Sequence, residues 1–271
     1  MKLAALVPPI AVLALVSASP ARADLAEIEA RGVMRVLVIL DNETQFFSGR
    51  PGKTPGFDYE ILDGFARAHR VRLELVPATA WETLIPLLLQ GKADLIAGRF
   101  TKTESRQKVI DFTSEVFPTR NVVVTRKPHR VVKTLEELRK ERVTVLRGTS
   151  MAELLQELGV PAQNIDYSIP TGGIPQALHE GRITCTVHEI HTAIVNQRSD
   201  PSLQIGLGIG PPVSLAYGVR KGDGRLLAAL NAHLQNVRQA GIWNKLTVKY
   251  FGPAALDILQ QARSQAMAKG F

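Results

Sequence analysis

A single cysteine, Cys185, stands among 271 residues, which excludes an intramolecular disulfide and any zinc or iron–sulfur site built on thiolates. Aromatic residues make up only 6% and are not interleaved with the basic ones. The excess of 33 Lys and Arg over 25 Asp and Glu therefore reads as solubility and electrostatic steering, not nucleic-acid binding. Beyond the N-terminal segment no run reaches the ~18 consecutive apolar residues of a membrane helix. There is no phosphate-cradling glycine loop, since Gly206-Leu207-Gly208-Ile209-Gly210 lacks the cation and helix such a loop needs, and no serine-hydrolase elbow. His188 and His191 have a His-x-x-His spacing without a third ligand, so no metal is expected. Cys185 and His188 would point to opposite faces of a strand, which leaves Cys185 as a small core residue. No cofactor is expected.

What is present is the raw material of a packed core, 45% hydrophobic with 21% charged residues, in a length that suits one large or two small domains. The N-terminus reads as a secretory signal. Lys2 opens it, an apolar run from Leu3 to Val16 follows, and Ala21-Arg22-Ala23 supplies the small residues a signal peptidase reads. Cleavage after Ala23 is expected, with no cysteine following for lipid attachment and the periplasm as the compartment.

From Asp24 onward, helical and strand patterns alternate. Helices are expected over 24–31, 57–69, 81–90, 135–140, 151–158, 174–179, 190–197, 226–239 and 242–250. Strands are expected over 33–40, 72–76, 94–97, 121–125, 143–146, 184–187 and 214–219. Such alternation implies an α/β fold with mostly parallel sheets. The segment Leu87 to Gly98 resembles Ala177 to His188, each a helix, a Gly-plus-cation turn and a strand. Two lobes of one local plan follow. Gly91 and Gly181 are read as helix caps. Ligands of open α/β sheets bind beyond the carboxyl ends of strands, which here places Arg99 from one lobe and Glu189 from the other at a shared cleft. The β-rich runs 121–125 and 214–219 are read as two strands crossing between lobes, with Lys127 and Tyr217 near the hinge. A discontinuous first lobe of 24–122 plus 216–252, a second lobe of 123–215 and a helical tail of 253–271 result.

These residues carry a family resemblance. Leu25-Ala26-Glu27-Ile28 with Arg31-Gly32-Val33, Gly56-Phe57-Asp58-Tyr59-Glu60, Gly91-Lys92-Ala93-Asp94, Thr101-Lys102-Thr103-Glu104-Ser105-Arg106, Arg147-Gly148-Thr149-Ser150 and Gly241-Ile242-Trp243 through Gly252 occur in order along the chain. Together the chain is similar to family 3 extracellular solute-binding proteins, the periplasmic receptors of polar-amino-acid ABC transporters. The resemblance implies a two-lobed type II periplasmic-binding-protein fold, its lobes joined by two hinge strands and closing around an amino acid or related carboxylate. It implies a membrane permease as partner, a monomer and no catalysis. Position by position it implies that Arg106 binds the ligand carboxylate with help from Thr101. Thr149 and Ser150 offer a helix N-terminus to the same group, Gly98 and Arg99 line the cleft, and Glu189 takes an amine. Phe46 or Phe47 covers the ligand.

The chain departs from the family in three places. Glu189 replaces an Asp, Arg99 stands where Ser or Gly is common, and Thr184 replaces the Asp of the second Gly-plus-cation turn. Arg99 either pairs with Glu189 or meets a second ligand carboxylate. Two other function classes remain open at this stage. One is an enzyme resembling cyclohexadienyl dehydratases, with Glu189 as general acid. The other is a sensor subunit feeding a signalling protein.

Overall fold

A computed structural model describes residues 24–40, 45–48 and 55–260. The expected signal segment and the last eleven residues of the expected tail lie outside these.

In chain order, α1 (Leu25–Arg31) and β1 (Val33–Ile39) are followed by α2 (Phe57–Ala68), β2 (Arg72–Ala78), α3 (Leu84–Leu89) and β3 (Leu95–Ile96). Next come α4 (Glu104–Gln107), β4 (Ile110–Phe112), β5 (Phe117–Arg126), α5 (Leu135–Lys140) and β6 (Val143–Thr144). The chain continues with α6 (Ser150–Glu157), β7 (Ile165–Asp166), α7 (Ile174–His179), β8 (Cys185–Glu189), α8 (Ile190–Ser199) and β9 (Leu203–Leu215). It closes with β10 (Gly218–Arg220), α9 (Gly224–Gln239) and α10 (Ile242–Phe251).

Two five-stranded sheets result, ordered β2-β1-β3-β10-β4 and β7-β6-β8-β5-β9. Each has three parallel strands flanked by an antiparallel fourth: β10 against β3 and β4, and β5 against β8 and β9. The likeness between 87–98 and 177–188 is thus spatial. α3 and β3 hold in one sheet the places that α7 and β8 hold in the other. Gly91 and Gly181 both end their helices in the left-handed region, φ 72° and 70°, where glycine carries no Cβ penalty.

Helices cover both faces of each sheet, so each lobe has two apolar layers. Helix α2 shows how sequence spacing builds them. Phe57, Ile61, Leu62 and Phe65 lie on one stripe and are buried, each worth ~1.5–3 kcal/mol relative to exposure. Gly56 starts the helix at φ 114°, and a Cβ there would lie 2.2 Å from the Phe46 carbonyl oxygen, so no larger residue fits.

The chain changes sheet twice. β4 ends in the first sheet at Phe112 and β5 begins in the second at Phe117; β9 ends in the second at Leu215 and β10 begins in the first at Gly218. The run 214–219, expected as one strand, is therefore split by Ala216 and Tyr217. Tyr217 sits at the crossing, pinned by Thr113, whose Oγ1 accepts from the Tyr217 amide at 3.0 Å. Lys127 does not lie at the hinge. It follows the far end of the ten-residue β5, because that strand runs on through the second sheet instead of stopping at the crossing.

Candidate functional site

The ends of strands from both sheets converge on one cleft. From the first sheet, the turn after β3 brings Arg99 and Thr101, α4 brings Arg106, and the segment after β2 brings Trp81. From the second, the loop after β6 brings Leu146, Thr149 and Ser150, while β8 ends in His188 and Glu189. The strand-end rule for open α/β sheets accounts for this placement. Counted out to its mouth the cleft encloses about 660 Å³.

Arg106 is the best-defined group. It is only 6% exposed. Its Nη1 donates to the Thr101 carbonyl at 2.8 Å and its Nη2 to the Gly148 carbonyl at 2.9 Å, so one guanidinium ties the two lobes together. The plane lies over the Phe100 ring at 4.4 Å, a favourable seat for a cation. Burial pushes its pKa down to about 10, against the pull of Glu153. Thr103 caps α4 by accepting from the Arg106 amide, which sets the direction in which the side chain leaves the turn.

The lobes also meet through hydroxyls. Ser150 Oγ donates to Thr101 Oγ1 at 3.0 Å, and Ser105 Oγ donates to Glu153 at 3.0 Å. Thr149 is the N-cap of α6, its Oγ1 accepting from the Ala152 amide, so Ser150 opens the first turn of an eight-residue helix facing the cleft. A helix start of this kind presents N–H groups and the positive end of the dipole. Gly148, at φ 70°, approaches the other lobe so closely that a Cβ would lie 2.5 Å from the Glu82 nitrogen.

Arg99 adopts the left-handed conformation at φ 57°, a cost of about 1–2 kcal/mol for a residue with a Cβ. Its guanidinium stands 5.5 Å from the Trp81 ring. Beneath it lies Asp58, 3% exposed, which accepts from the Gly98 amide at 3.0 Å and from the Tyr217 hydroxyl at 3.1 Å. Burial raises the Asp58 carboxyl to about 7, although Tyr217, Gly98 and Arg99 all favour its charged form. His191, on the second lobe, is held neutral: burial, with Arg99 and His188 nearby, lowers its pKa to about 3. Its Nδ1 is paired with Thr119 Oγ1 at 3.0 Å.

Arg99, Thr101, Arg106, Thr149, Ser150 and Glu189 thus share one cleft, and three expected residues stand apart from it. Gly98 spends its amide on Asp58. Phe46 is 2% exposed within an aromatic cluster of Phe57, Phe117 and Phe251, where packing buries the whole ring. Phe47 lies against Gly98. Residues 41–44, just before Phe46 and Phe47, lie outside the described residues. Cys185 is buried, its thiol pushed up to about 12, as a core residue should be. Among the described residues no cluster of His, Cys, Asp or Glu could hold a metal, and no helix is long and apolar enough to cross a membrane.

Sequence reasoning missed Trp81 and the apolar wall of Val145, Leu146, Met151, Ile174, Pro175 and Val187. Trp81 was legible in principle, being a large aromatic just past a strand end. The wall was not, because isolated aliphatics carry no signal that separates a cleft from a core.

A model of the bacterial extracellular solute-binding proteins, family 3, matches residues 35–253. Among curated relatives, the membrane-bound lytic murein transglycosylase F of Stutzerimonas stutzeri (strain A1501) is 29% identical over 263 residues, covering 95% of this chain and 53% of that protein. The chain spans about half the length of the curated relatives it matches. Among solved structures, the P235GK mutant of ArgBP from T. maritima superposes with a TM-score of 0.76 at 29% identity, over 84% of this chain and 99% of that one. The ancestral amino acid-binding protein AncCDT-1, a precursor of cyclohexadienyl dehydratase, superposes with a TM-score of 0.73 at 25% identity, over the same shares. The family match, the paired sheets and the interlobe cleft agree: this chain belongs to the bacterial extracellular solute-binding proteins, family 3.

Proposed function

We propose that the chain is a binding module that closes around a small carboxylate-bearing solute, an amino acid or a derivative of one. The observation that carries this reading is Arg106, a buried cation at the junction of the lobes whose described bonds go to two carbonyl oxygens. A guanidinium fork matches a carboxylate bidentately. Thr101 and Ser150, already bonded to each other beside it, and the start of α6 are placed to complete the anion site. Glu189 and Arg99 then flank the rest of the solute, with Gly98 as the pivot between Asp58 and Arg99 and with Phe46 and Phe47 as support behind the cleft. The lobes of this reading divide at the two changes of sheet, near 113–116 and 216–217.

As a free receptor the module is exported by its N-terminal signal, works in the periplasm as a monomer and hands its ligand to the permease of an ABC importer. The structural neighbour described as an ancestral amino acid-binding protein supports the ligand class of this reading. A second reading rests on the curated relatives, which are enzymes about twice as long: the module then senses a solute for a murein-cleaving partner. In an enzyme reading of the cleft itself, buried Glu189 beside His188 serves as general acid.

Calorimetry tests the shared core of these readings, using whichever carboxylate raises the melting temperature most in a screen. Arg106→Ala should weaken binding by tens to thousands of fold, the ~2–5 kcal/mol of a lost charged partner. Arg106→Lys should recover part of it. Binding of Arg106→Ala within threefold of wild type refutes the assignment.

A further inference from the structure

The turn that carries Arg106 is tied to the opposite lobe by a chain of hydrogen bonds. Thr103, the N-cap of α4, accepts from the Arg106 amide at 3.3 Å. Its Oγ1 lies 2.8 Å from Ser105 Oγ, and Ser105 Oγ donates to Glu153 of α6 at 3.0 Å. A hydroxyl has a single hydrogen to give. Ser105 spends its own on the carboxylate, so Thr103 donates to Ser105, and every link from the Arg106 amide to Glu153 runs in one direction. Arg106 lines both the interlobe cleft and a second groove on its outer side, whereas Ser105 and Glu153 line the outer groove and not the cleft. Glu153 is therefore no part of the wall that a solute meets. Glu82, the other carboxylate of the outer groove, is exposed and has no place in the chain.

We propose that Glu153 is a positioning residue for Arg106: when the lobes close, it fixes the capping turn of α4 and with it the guanidinium that receives the solute's carboxylate. This inference rests on the solute-binding reading and adds a residue to its anion site. The chain passes between lobes only at its last link, Ser105 to Glu153, so it is complete in the closed form and broken when the lobes part. Closure and the ordering of the fork are then one event. From the cleft side Arg106 is held by the Gly148 carbonyl at 2.9 Å, so the second lobe grips it from both faces. Glu153 also favours the ionised guanidinium against burial, but with a pKa of about 10 Arg106 is charged near neutral pH. Glu153 therefore acts through geometry. An effect of this kind scales the share of protein competent to bind, and it weakens all solutes by one factor instead of changing their order.

The test compares Glu153→Ala, Ser105→Ala, the double variant and Glu153→Gln, by calorimetry with L-leucine, L-glutamate and L-arginine and by NMR exchange of the Arg106 amide. Both positions are helical, and alanine is the strongest helix former, so the fold should survive. Each alanine variant should weaken every one of these that binds by about 3- to 10-fold, the scale of a hydrogen bond to a charged group at a partly exposed site, with their order unchanged. The double variant should be no weaker than the worse single one, because both substitutions cut the same chain. Glu153→Gln, whose amide oxygen still accepts from Ser105, should stay within about twofold of wild type. Exchange of the Arg106 amide should quicken ~3-fold or more in both alanine variants and not in Glu153→Gln. Glu153→Ala binding within about twofold of wild type, or losses that multiply in the double variant, overturns the inference; loss of binding in Arg106→Ala then leaves the solute-binding reading standing. Binding by none of the three counts against that reading, and amide exchange in the free protein then decides. Unchanged exchange in Glu153→Ala overturns the positioning role, and quicker exchange that Glu153→Gln does not share upholds it.

Discussion

Replacing Asp58 with asparagine should stabilise the protein at alkaline pH. Asp58 is 3% exposed and sits where three parts of the first lobe meet: the start of α2, the turn after β3 and the crossing residue Tyr217. Its carboxyl is raised from 3.8 to about 7, chiefly by burial. A raised carboxyl pKa means that the folded state holds a proton the unfolded chain has released. Stability associated with this group is therefore complete below about pH 4 and declines as pH rises toward 7, by ~1.4 kcal/mol per pH unit where the two states differ by a full proton. The integral is ~4 kcal/mol, and local water entry brings the expected loss to about 2–4 kcal/mol. Asparagine has no charge to bury and retains both contacts: its oxygen accepts from the Gly98 amide, and its amide donates to the Tyr217 hydroxyl. His191 works in the opposite direction, losing stability as pH falls below its unfolded value of 6.5 toward 3. The measurement must therefore be the difference between variant and wild type, by urea unfolding across about pH 4 to 9. The difference should be near zero at the acid end, rise through neutrality in favour of asparagine and level off above about pH 7.5. A difference that is flat with pH, or an asparagine variant that is less stable at about pH 9, would show that burial does not raise the Asp58 carboxyl and that the reasoning is wrong.

Two further substitutions probe the interlobe contact and the first lobe. Gly148→Ala places a Cβ 2.5 Å from the Glu82 nitrogen at a left-handed position, so the lobes should no longer meet; ligand affinity should fall at least ~10-fold, and small-angle scattering with ligand should show a larger radius than wild type. Asp94→Ala removes a fully buried carboxylate that accepts from Arg31 at 2.5 Å, the Arg35 amide at 2.8 Å and the Arg35 guanidinium at 3.0 Å. Its cost should be about 3–5 kcal/mol by denaturant unfolding, far above that of Asp63→Ala, whose partner Arg67 is exposed.

The alternation of helix and strand, the near-identical bounds of α5 and α7, the capping glycines and the repeated helix–turn–strand plan are all local matters. Apolar spacing, capping chemistry and left-handed glycine positions are properties of short windows, and the sequence by itself determined them. The same holds for Arg99 just past the end of β3 and Glu189 at the end of β8, because a strand's carboxyl end is a direction along the chain. Of the long β9 only the end, from Ser214, is expected as strand; the glycines and prolines over 206–212 carry no strand pattern of their own, and pairing with β5 makes them part of one. Tertiary structure alone decided three further things: that Phe46 joins an aromatic core instead of facing the cleft, that β5 runs on through the second sheet and carries Lys127 away from the crossing, and that Arg106 reaches Gly148 across 42 residues of sequence. The physical reason is common to all three. Each is set by packing and pairing between segments far apart in the chain, not by the residues on either side.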